Sequence, residues 1–203
     1  MKFKYKKVFL TGANGWLGKQ MLKTLLLGDE DVIDNFDNNN CNVTSLVYSK
    51  DTKIDFLKQF NVNHKIIKGD VRKKEDCDNF FNDSSDGILI HLAGIIHPNR
   101  VKDFFEINYY GTKNLIQSGL SKGIKKIIVM SSNSPLGCNK SNKIPFNENS
   151  PYNPYMNYGK SKMLMERYLK NKINLGFDIT IIRSPWFYGD YMLSLIHISE
   201  PTR

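Results

Sequence analysis

Cysteine is scarce in this 203-residue chain, and its three thiols, Cys41, Cys77 and Cys138, form neither a CxxC pair nor any metal-ligand spacing. That argues against a metal centre or a disulfide scaffold and points to reduced thiols. Long apolar runs are missing too: no window of the sequence approaches the roughly 18 uninterrupted apolar residues of a membrane helix. At the N-terminus, Lys2, Lys4, Lys6 and Lys7 lead into only Val8-Phe9-Leu10 before a glycine loop. This run is too short for a signal peptide, so a cytoplasmic protein is expected, with no membrane partner. Acidic residues fall short of basic ones, 20 against 29, leaving a net charge of +9. Binding to nucleic acid would call for a basic stripe or an aromatic RNA-binding motif. Neither is present: the lysines are scattered and far outnumber arginine, so the charge reads as a solvated surface.

What the chain does have is an alternation of short apolar runs with helical stretches, without internal repeats or a domain boundary. Strands are predicted at 7–11, 43–48, 65–69, 87–92, 125–131 and 178–183. Helices are predicted at 15–27, 73–81, 101–122 and 154–174, with a shorter one at 54–60. Strands separated by helices imply parallel pairing with right-handed crossovers, hence an α/β fold with a doubly wound parallel sheet. Gly87-Ile88-Leu89-Ile90 and Ile127-Ile128-Val129-Met130 are apolar without alternation, as strands covered on both faces should be. The segment 28–42 mixes Asp29, Glu30, Asp31, Asp34 and Asp37 with asparagines and reads as a solvated loop.

Two motifs carry the chemistry. Thr11-Gly12-Ala13-Asn14-Gly15-Trp16-Leu17-Gly18 follows the first strand and opens the first helix. In Gly12-x-x-Gly15-x-x-Gly18, Gly12 permits a tight turn, Gly15 lets the backbone approach a pyrophosphate, and Gly18 lets the helix pack on the sheet. The phosphates then meet free N–H groups at the positive end of the helix. A choice between NAD and NADP rests on the end of the second strand, Tyr48-Ser49-Lys50-Asp51. Ser49 and Lys50 favour a 2′-phosphate, whereas Asp51 favours NAD if the register slips by a residue or two, and the sequence leaves both open.

The second motif is Tyr158-Gly159-Lys160-Ser161-Lys162. Tyr-x-x-x-Lys also occurs at Tyr109/Lys113 and Tyr168/Lys172, so position selects: only Tyr158/Lys162 begins the helix after the fifth strand. Four residues apart on a helix, the two side chains share a face. The ammonium is expected to stabilise a tyrosinate and lower the phenol pKa from about 10. Such a tyrosine can exchange a proton with a substrate hydroxyl or carbonyl as hydride moves, and a nearby serine can orient that oxygen.

With these residues in place, the chain resembles the extended short-chain dehydrogenase/reductase family, in its NAD-dependent epimerase/dehydratase branch. Thr11 to Gly18 resembles the TGxxGxxG loop, and Gly69-Asp70-Val71-Arg72 a GDxRD-like segment, which implies that Asp70 and Val71 contact adenine. His91-Leu92-Ala93-Gly94 resembles an H-x-A-A/G stretch along the cofactor. Asn108-x-x-Gly111-Thr112-x-Asn114 resembles a helix whose first asparagine organises the active site. Ser131-Ser132 before Pro135-Leu136-Gly137 resembles SS-x-x-x-Y-G with leucine in place of tyrosine, aligning Ser132 with the catalytic Ser/Thr. Arg183-Ser184-Pro185-Trp186-Phe187-Tyr188-Gly189 resembles R-x-P-x-x-Y-G near the nicotinamide. The resemblance thus implies a catalytic set of Ser132, Tyr158, Lys162 and Asn108. It implies a cofactor set of Gly12, Asn14, Gly15, Trp16, Leu17, Gly18, Ser49, Asp70, Val71, Leu92, Ala93, Gly94, Tyr158, Lys162 and Pro185.

The resemblance further implies a Rossmann-type fold, a nucleotide-sugar substrate and hydride transfer with Tyr158 as acid/base. A homodimer through the helices at 101–122 and 154–174 is also implied. Dehydratases of this kind usually carry Asp-Glu just after the catalytic Ser/Thr. Asn133 and Ser134 stand there instead, which argues against dehydration and leaves epimerisation or simple redox. A hydroxysteroid-dehydrogenase-like or small carbonyl reductase shares the same motifs, and a non-catalytic dinucleotide-binding module shares the fold. Finally, Leu193-Ser194-Leu195-Ile196-His197-Ile198-Ser199-Glu200-Pro201-Thr202-Arg203 resembles a translated transposon-end sequencing adapter. The expectation is therefore an NAD(P)-binding domain at 1–192, a non-native tail at 193–203, and a C-terminal substrate domain that is missing.

Overall fold

Successive residues of a strand point to opposite faces, and in the first strand both faces are apolar. Phe9 enters one core layer, with Leu46, Leu89, Ile127 and Val129, while Val8 and Leu10 enter the other with Val43, Val47, Ile88 and Ile90. A sheet built this way must be covered on both sides. The computed structural model, which describes residues 5–28, 41–60, 62–82, 86–139 and 143–185, shows that sandwich. Most of the acidic segment 28–42, the Trp186-Phe187-Tyr188-Gly189 run and the 193–203 tail lie outside the described residues.

The strands are β1 (Lys7–Thr11), β2 (Asn42–Tyr48), β3 (His64–Gly69), β4 (Ile88–His91), β5 (Lys126–Ser132) and β6 (Ile179–Ser184). All pair in parallel, in the order β3-β2-β1-β4-β5-β6. The helices are α1 (Trp16–Leu27), α2 (Asp55–Lys58), α3 (Lys74–Phe80), α4 (Val101–Phe105), α5 (Thr112–Ser121) and α6 (Asn157–Asn174). Leu22 and Leu25 of α1 and Leu57 of α2 cover one face. Cys77 and Phe80 of α3, Leu115 and Ile116 of α5, and Met165 and Leu169 of α6 cover the other. The winding reverses between β1 and β4, where Thr11 lies opposite His91; ligands of open α/β sheets bind at such a switch point.

Three departures from the sequence reading are informative. The helix predicted at 101–122 is interrupted: α4 passes through a π-helical segment, Glu106–Gly111, before α5 begins. The widened turns carry Asn108 and Gly111 inward. Asn108 is fully buried, and a β-carbon on Gly111 would stand 2.7 Å from Val71 Cγ2. Side-chain hydrogen bonds of Asn108 offset the poorer helix, and such widenings are common at functional sites. The last helix starts at Asn157 rather than at 154, because Met156 is extended (φ −116°, ψ 159°). In β5 only one face is fully covered: Ile127 and Val129 are buried, whereas Ile128 and Met130 are half-buried. Among the described residues no helix is long and apolar enough to cross a membrane.

Candidate active site

The glycine loop is shaped by contacts a side chain would break. Gly12 has φ +75°, and a β-carbon there would lie 2.7 Å from the Ala93 amide nitrogen and 2.8 Å from the Leu92 carbonyl carbon. The Gly15 amide donates to the Gly12 carbonyl at 2.9 Å, closing the turn. A β-carbon on Gly18 would overlap the Gly12 carbonyl oxygen, so that glycine serves helix-to-loop packing. No side chain caps α1, so the helix end keeps the partial positive charge that suits a phosphate.

The loop forms one wall of a cavity of about 800 Å³ at the C-terminal ends of β1 to β4. Gly12, Asn14, Gly15, Asp70, Val71, Leu92, Ala93 and Gly94 line it, eight of the cofactor residues the sequence singled out. Trp16 and Leu17 are half-buried in the first turn of α1, outside that lining. Ser49 is also outside it, exposed, with its amide donating to the Gly69 carbonyl at 3.1 Å. Pro185 is exposed just after β6. The far wall, His97, Asn99, Arg100 and Asp103, has no counterpart in the sequence reading. Its only signal there was position, between the Leu92-Ala93-Gly94 stretch and the next helix.

At the far end of the cavity β2 stops at Tyr48, as expected, so the register has not slipped. Asp51 nevertheless lines the cavity, its Oδ2 accepting from Asn14 Nδ2 of the glycine loop at 3.5 Å. Arg72 forks onto Asp70, with its Nε 3.0 and 2.9 Å from the two carboxylate oxygens and Nη2 2.6 Å from Oδ2, and it also reaches the Tyr48 hydroxyl at 3.1 Å. Burial pushes the Asp70 carboxyl up, but the Arg72 hydrogen bonds and charge outweigh it and hold the group below its ordinary value.

Beside Gly94, which lines the cavity, stand candidate catalytic residues. A β-carbon on Gly94 would stand 3.2 Å from Asn108 Oδ1 and 3.4 Å from Lys162 Nζ. Asn108 holds that position through its amide: Oδ1 accepts from the Ile95 amide at 2.8 Å, while Nδ2 donates to the Ile95 carbonyl at 3.0 Å and to Ser161 Oγ at 3.1 Å. Lys162 donates to the Met130 carbonyl at 2.9 Å. Burial pulls its pKa from 10.5 to about 8, with the Glu166 charge acting the other way. Tyr158 lies in the first turn of α6, its ring 6.1 Å from that of Phe104. Its phenol pKa is raised, opposite to the expectation from the lysine: burial dominates, and the Ser132 hydroxyl only partly offsets it. Ser132 shares contacts with Ser134 Oγ (3.1 Å) and donates to Asn133 Oδ1 (3.3 Å). Tyr109/Lys113 and Tyr168/Lys172 stand away from the cavity lining, with Tyr168 packed on the core.

A buried hydrogen-bond chain that the sequence did not reveal joins the two ends. Thr112 Oγ1 spends its single proton on the Asn108 carbonyl at 2.9 Å, so it can only accept from His91 Nε2 at 2.8 Å. His91 Nδ1 is then an acceptor, and takes the Thr11 hydroxyl proton at 2.6 Å. Thr11 Oγ1 in turn accepts from the Ala93 amide at 3.2 Å. Every proton is used once, and the imidazole is neutral with its proton on Nε2. Burial, and then the Lys162 charge, push its pKa from 6.5 down to about 3. Among the described residues no group of three His, Cys, Asp or Glu side chains is placed to hold a metal.

Known proteins share this fold. The chain is 41% identical over 184 residues to the uncharacterized protein y4nL of Sinorhizobium fredii, covering 90% of this chain and 51% of that protein. It is 30% identical over 193 residues to a putative UDP-glucose 4-epimerase of Methanocaldococcus jannaschii, covering 90% of this chain and 56% of that one. The chain spans about half the length of the curated relatives it matches. Its fold superposes on DesIV, a dTDP-glucose 4,6-dehydratase from Streptomyces venezuelae solved with NAD and TYD bound. That match has a TM-score of 0.76 at 23% identity and covers 91% of this chain and 57% of that one. The UDP-glucose 4-epimerase of Thermus thermophilus, solved with NAD, gives a TM-score of 0.69 at 21% identity over 87% of this chain and 54% of that one. Residues 8–198 match the NAD dependent epimerase/dehydratase family, and the chain belongs to it.

Proposed function

We propose that this chain carries the cofactor site and the acid/base machinery of a cytoplasmic, NAD-dependent enzyme that epimerises a nucleotide-sugar. The observation that carries the reading is the meeting of Lys162 Nζ and the Asn108 amide at Gly94, a residue that itself lines the cavity of the glycine loop. The residues fit a dinucleotide: two glycines leave room for its backbone approach, and an uncapped helix end faces the pyrophosphate. Asp51, tied to the loop by Asn14, suits a ribose diol and repels a 2′-phosphate, and the nearby Arg72 is already neutralised by Asp70. This favours NAD over NADP.

When bound, NAD would supply the hydride acceptor and donor. The chain's residues do the rest. Tyr158, with its raised pKa, is held protonated in the free chain and is ready to give its proton to a carbonyl oxygen. To take a proton from a hydroxyl it needs positive charge nearby, which the Lys162 ammonium carries on the same helix face. Beyond its bonds to the Met130 carbonyl and, weakly, the Met165 sulfur, the Lys162 ammonium keeps an N–H that would suit a ribose hydroxyl of the bound cofactor. Ser132 orients the reacting oxygen. Asn133 and Ser134 hydrogen-bond to Ser132 and offer no proton-transferring carboxyl, which favours epimerisation over dehydration. The reading extends to a homodimer through the helical faces on which Val101 and Tyr110 stand exposed.

The test is to give the whole enzyme that carries this chain, substrate domain included, NAD with UDP-glucose and to follow both sugar and cofactor. UDP-galactose formed without net NADH supports the reading. Stoichiometric NAD(P)H consumption with a carbonyl substrate favours the reductase alternative, and NAD binding without turnover of either favours a binding module.

A further inference from the structure

Glu166 is completely buried, one helical turn beyond Lys162 on α6, and four donors converge on it. Ser131 Oγ lies 2.5 Å from Oε1, the Tyr152 hydroxyl 2.9 Å from Oε2, and Arg183 forks onto the carboxylate with Nε at 3.1 and 3.0 Å and Nη2 at 2.6 Å. Each donor comes from a segment that carries part of the site. Ser131 precedes Ser132 at the end of β5, and Tyr152 lies in the approach to Tyr158. Arg183 is two residues before Pro185 on β6, and Glu166 itself shares a helix face with Lys162.

Fixing four segments does not by itself require charge. A buried ion pair is often replaceable by a well-packed apolar pair at no loss of stability. Charge at this place acts on Lys162, one helical turn away and also buried, whose ammonium has only the Met130 carbonyl at 2.9 Å and the weakly accepting Met165 sulfur at 4.0 Å as acceptors among the described residues. Among the described residues, the charged and titratable groups near Lys162 are Glu166 and, one turn before it on the same helix, Tyr158, with the neutral His91 from β4. Arg183 reaches it through Glu166.

We propose that Glu166 and Arg183 are positioning residues for the Tyr158/Lys162 pair, the carboxylate holding the ammonium charged and the arginine limiting how strongly it does so. This rests on the reading of Tyr158 and Lys162 as the proton-transferring pair. Removing the two charges moves Lys162 in opposite directions, which a merely structural role does not do. In Glu166→Gln the attraction is lost and Arg183 is left unpaired, so the ammonium deprotonates at lower pH. In Arg183→Gln the carboxylate is unopposed, so the ammonium persists to higher pH.

The experiment is an NMR titration of lysine side chains in the 203-residue chain without cofactor, with the Lys162 signal assigned by its loss in Lys162→Met. We expect the midpoint to fall by about half a pH unit or more in Glu166→Gln and to rise by a similar amount in Arg183→Gln. Arg183→Lys, which keeps the charge and loses the fork, leaves the midpoint near that of wild type and serves if the glutamine variant does not fold. A midpoint unmoved by both neutralising variants, or moved the same way by both, overturns the proposal. No turnover is needed for this readout. Opposite shifts beside a whole enzyme that fails to epimerise sugars sink the functional reading alone, and unmoved midpoints beside an active whole enzyme sink this one alone.

Discussion

His91→Gln should remove an acid sensitivity built into the fold. Unfolded, the imidazole takes up a proton near its ordinary value of 6.5; folded, it resists until about 3, because it is buried and lies near the Lys162 charge. Between those values the unfolded chain binds a proton that the folded chain refuses. The stability contribution is therefore complete above about pH 6.5 and is lost as pH falls through the window, at about 1.4 kcal/mol per pH unit. From pH 8 to pH 5 that amounts to about 2 kcal/mol. Glutamine retains one acceptor for the Thr11 hydroxyl and one donor for Thr112 Oγ1, so the cost at pH 8 is about 1 kcal/mol or less. Urea unfolding of both proteins at the two pH values isolates the effect, because His64, whose pKa burial also lowers, contributes equally to each. The expected result is that the variant, weaker at pH 8, equals or exceeds wild type at pH 5. An identical loss between pH 8 and pH 5 in the two proteins would refute the neutral, Nε2-protonated imidazole and with it the direction of the whole chain.

The other predictions test the site and the core separately. Gly94→Ala places a methyl group between Asn108 Oδ1 and Lys162 Nζ; NAD affinity by calorimetry should fall about tenfold or more, the equivalent of ~1.4 kcal/mol, while the melting temperature changes little. Tyr158→Phe should keep NAD affinity and lower epimerase turnover by about 100-fold or more, measured as UDP-galactose formed. Phe80→Ala empties a fully buried ring that packs edge-on against Phe9 at 5.4 Å and tilted against Phe81 at 4.7 Å. It should cost about 3–5 kcal/mol in chemical unfolding, with NAD binding retained below the transition.

The strands were legible because their signal is local. Val8-Phe9-Leu10 and Ile88-Leu89-Ile90 are apolar on both faces, and only a doubly covered parallel sheet buries such runs. The glycine loop was legible for a related reason: each glycine answers a steric demand made by a neighbour close in the chain or directly across the switch point. Asp51 was half legible. Its carboxyl reaches the cavity without any slip of register, because the chain turns after Tyr48 and brings Asp51 back to Asn14. Strand end and ligand contact are separate properties, and the sequence reading treated them as one.

What stayed hidden was set by burial and by single protons. Tyr-x-x-x-Lys spacing put Tyr158 and Lys162 on one face correctly, but spacing says nothing of solvent, and removal from water raised the phenol pKa where the lysine alone would have lowered it. The π-helical turns at Glu106–Gly111 bury Asn108 and Gly111, and a 3.6-residue periodicity does not distinguish such turns from those of an ordinary helix. Yet those turns aim Asn108 at Ile95 and Ser161 and offer its carbonyl to Thr112. The direction of the His91 chain follows from that one carbonyl: once Thr112 has spent its proton there, His91, Thr11 and Ala93 have a single consistent arrangement left. A residue pattern cannot encode this, since Thr, His and Thr at positions 11, 91 and 112 are far apart in sequence and unremarkable in type. Only the fold makes them neighbours, and it does so at the point where the cofactor loop and the catalytic helix have to be held together.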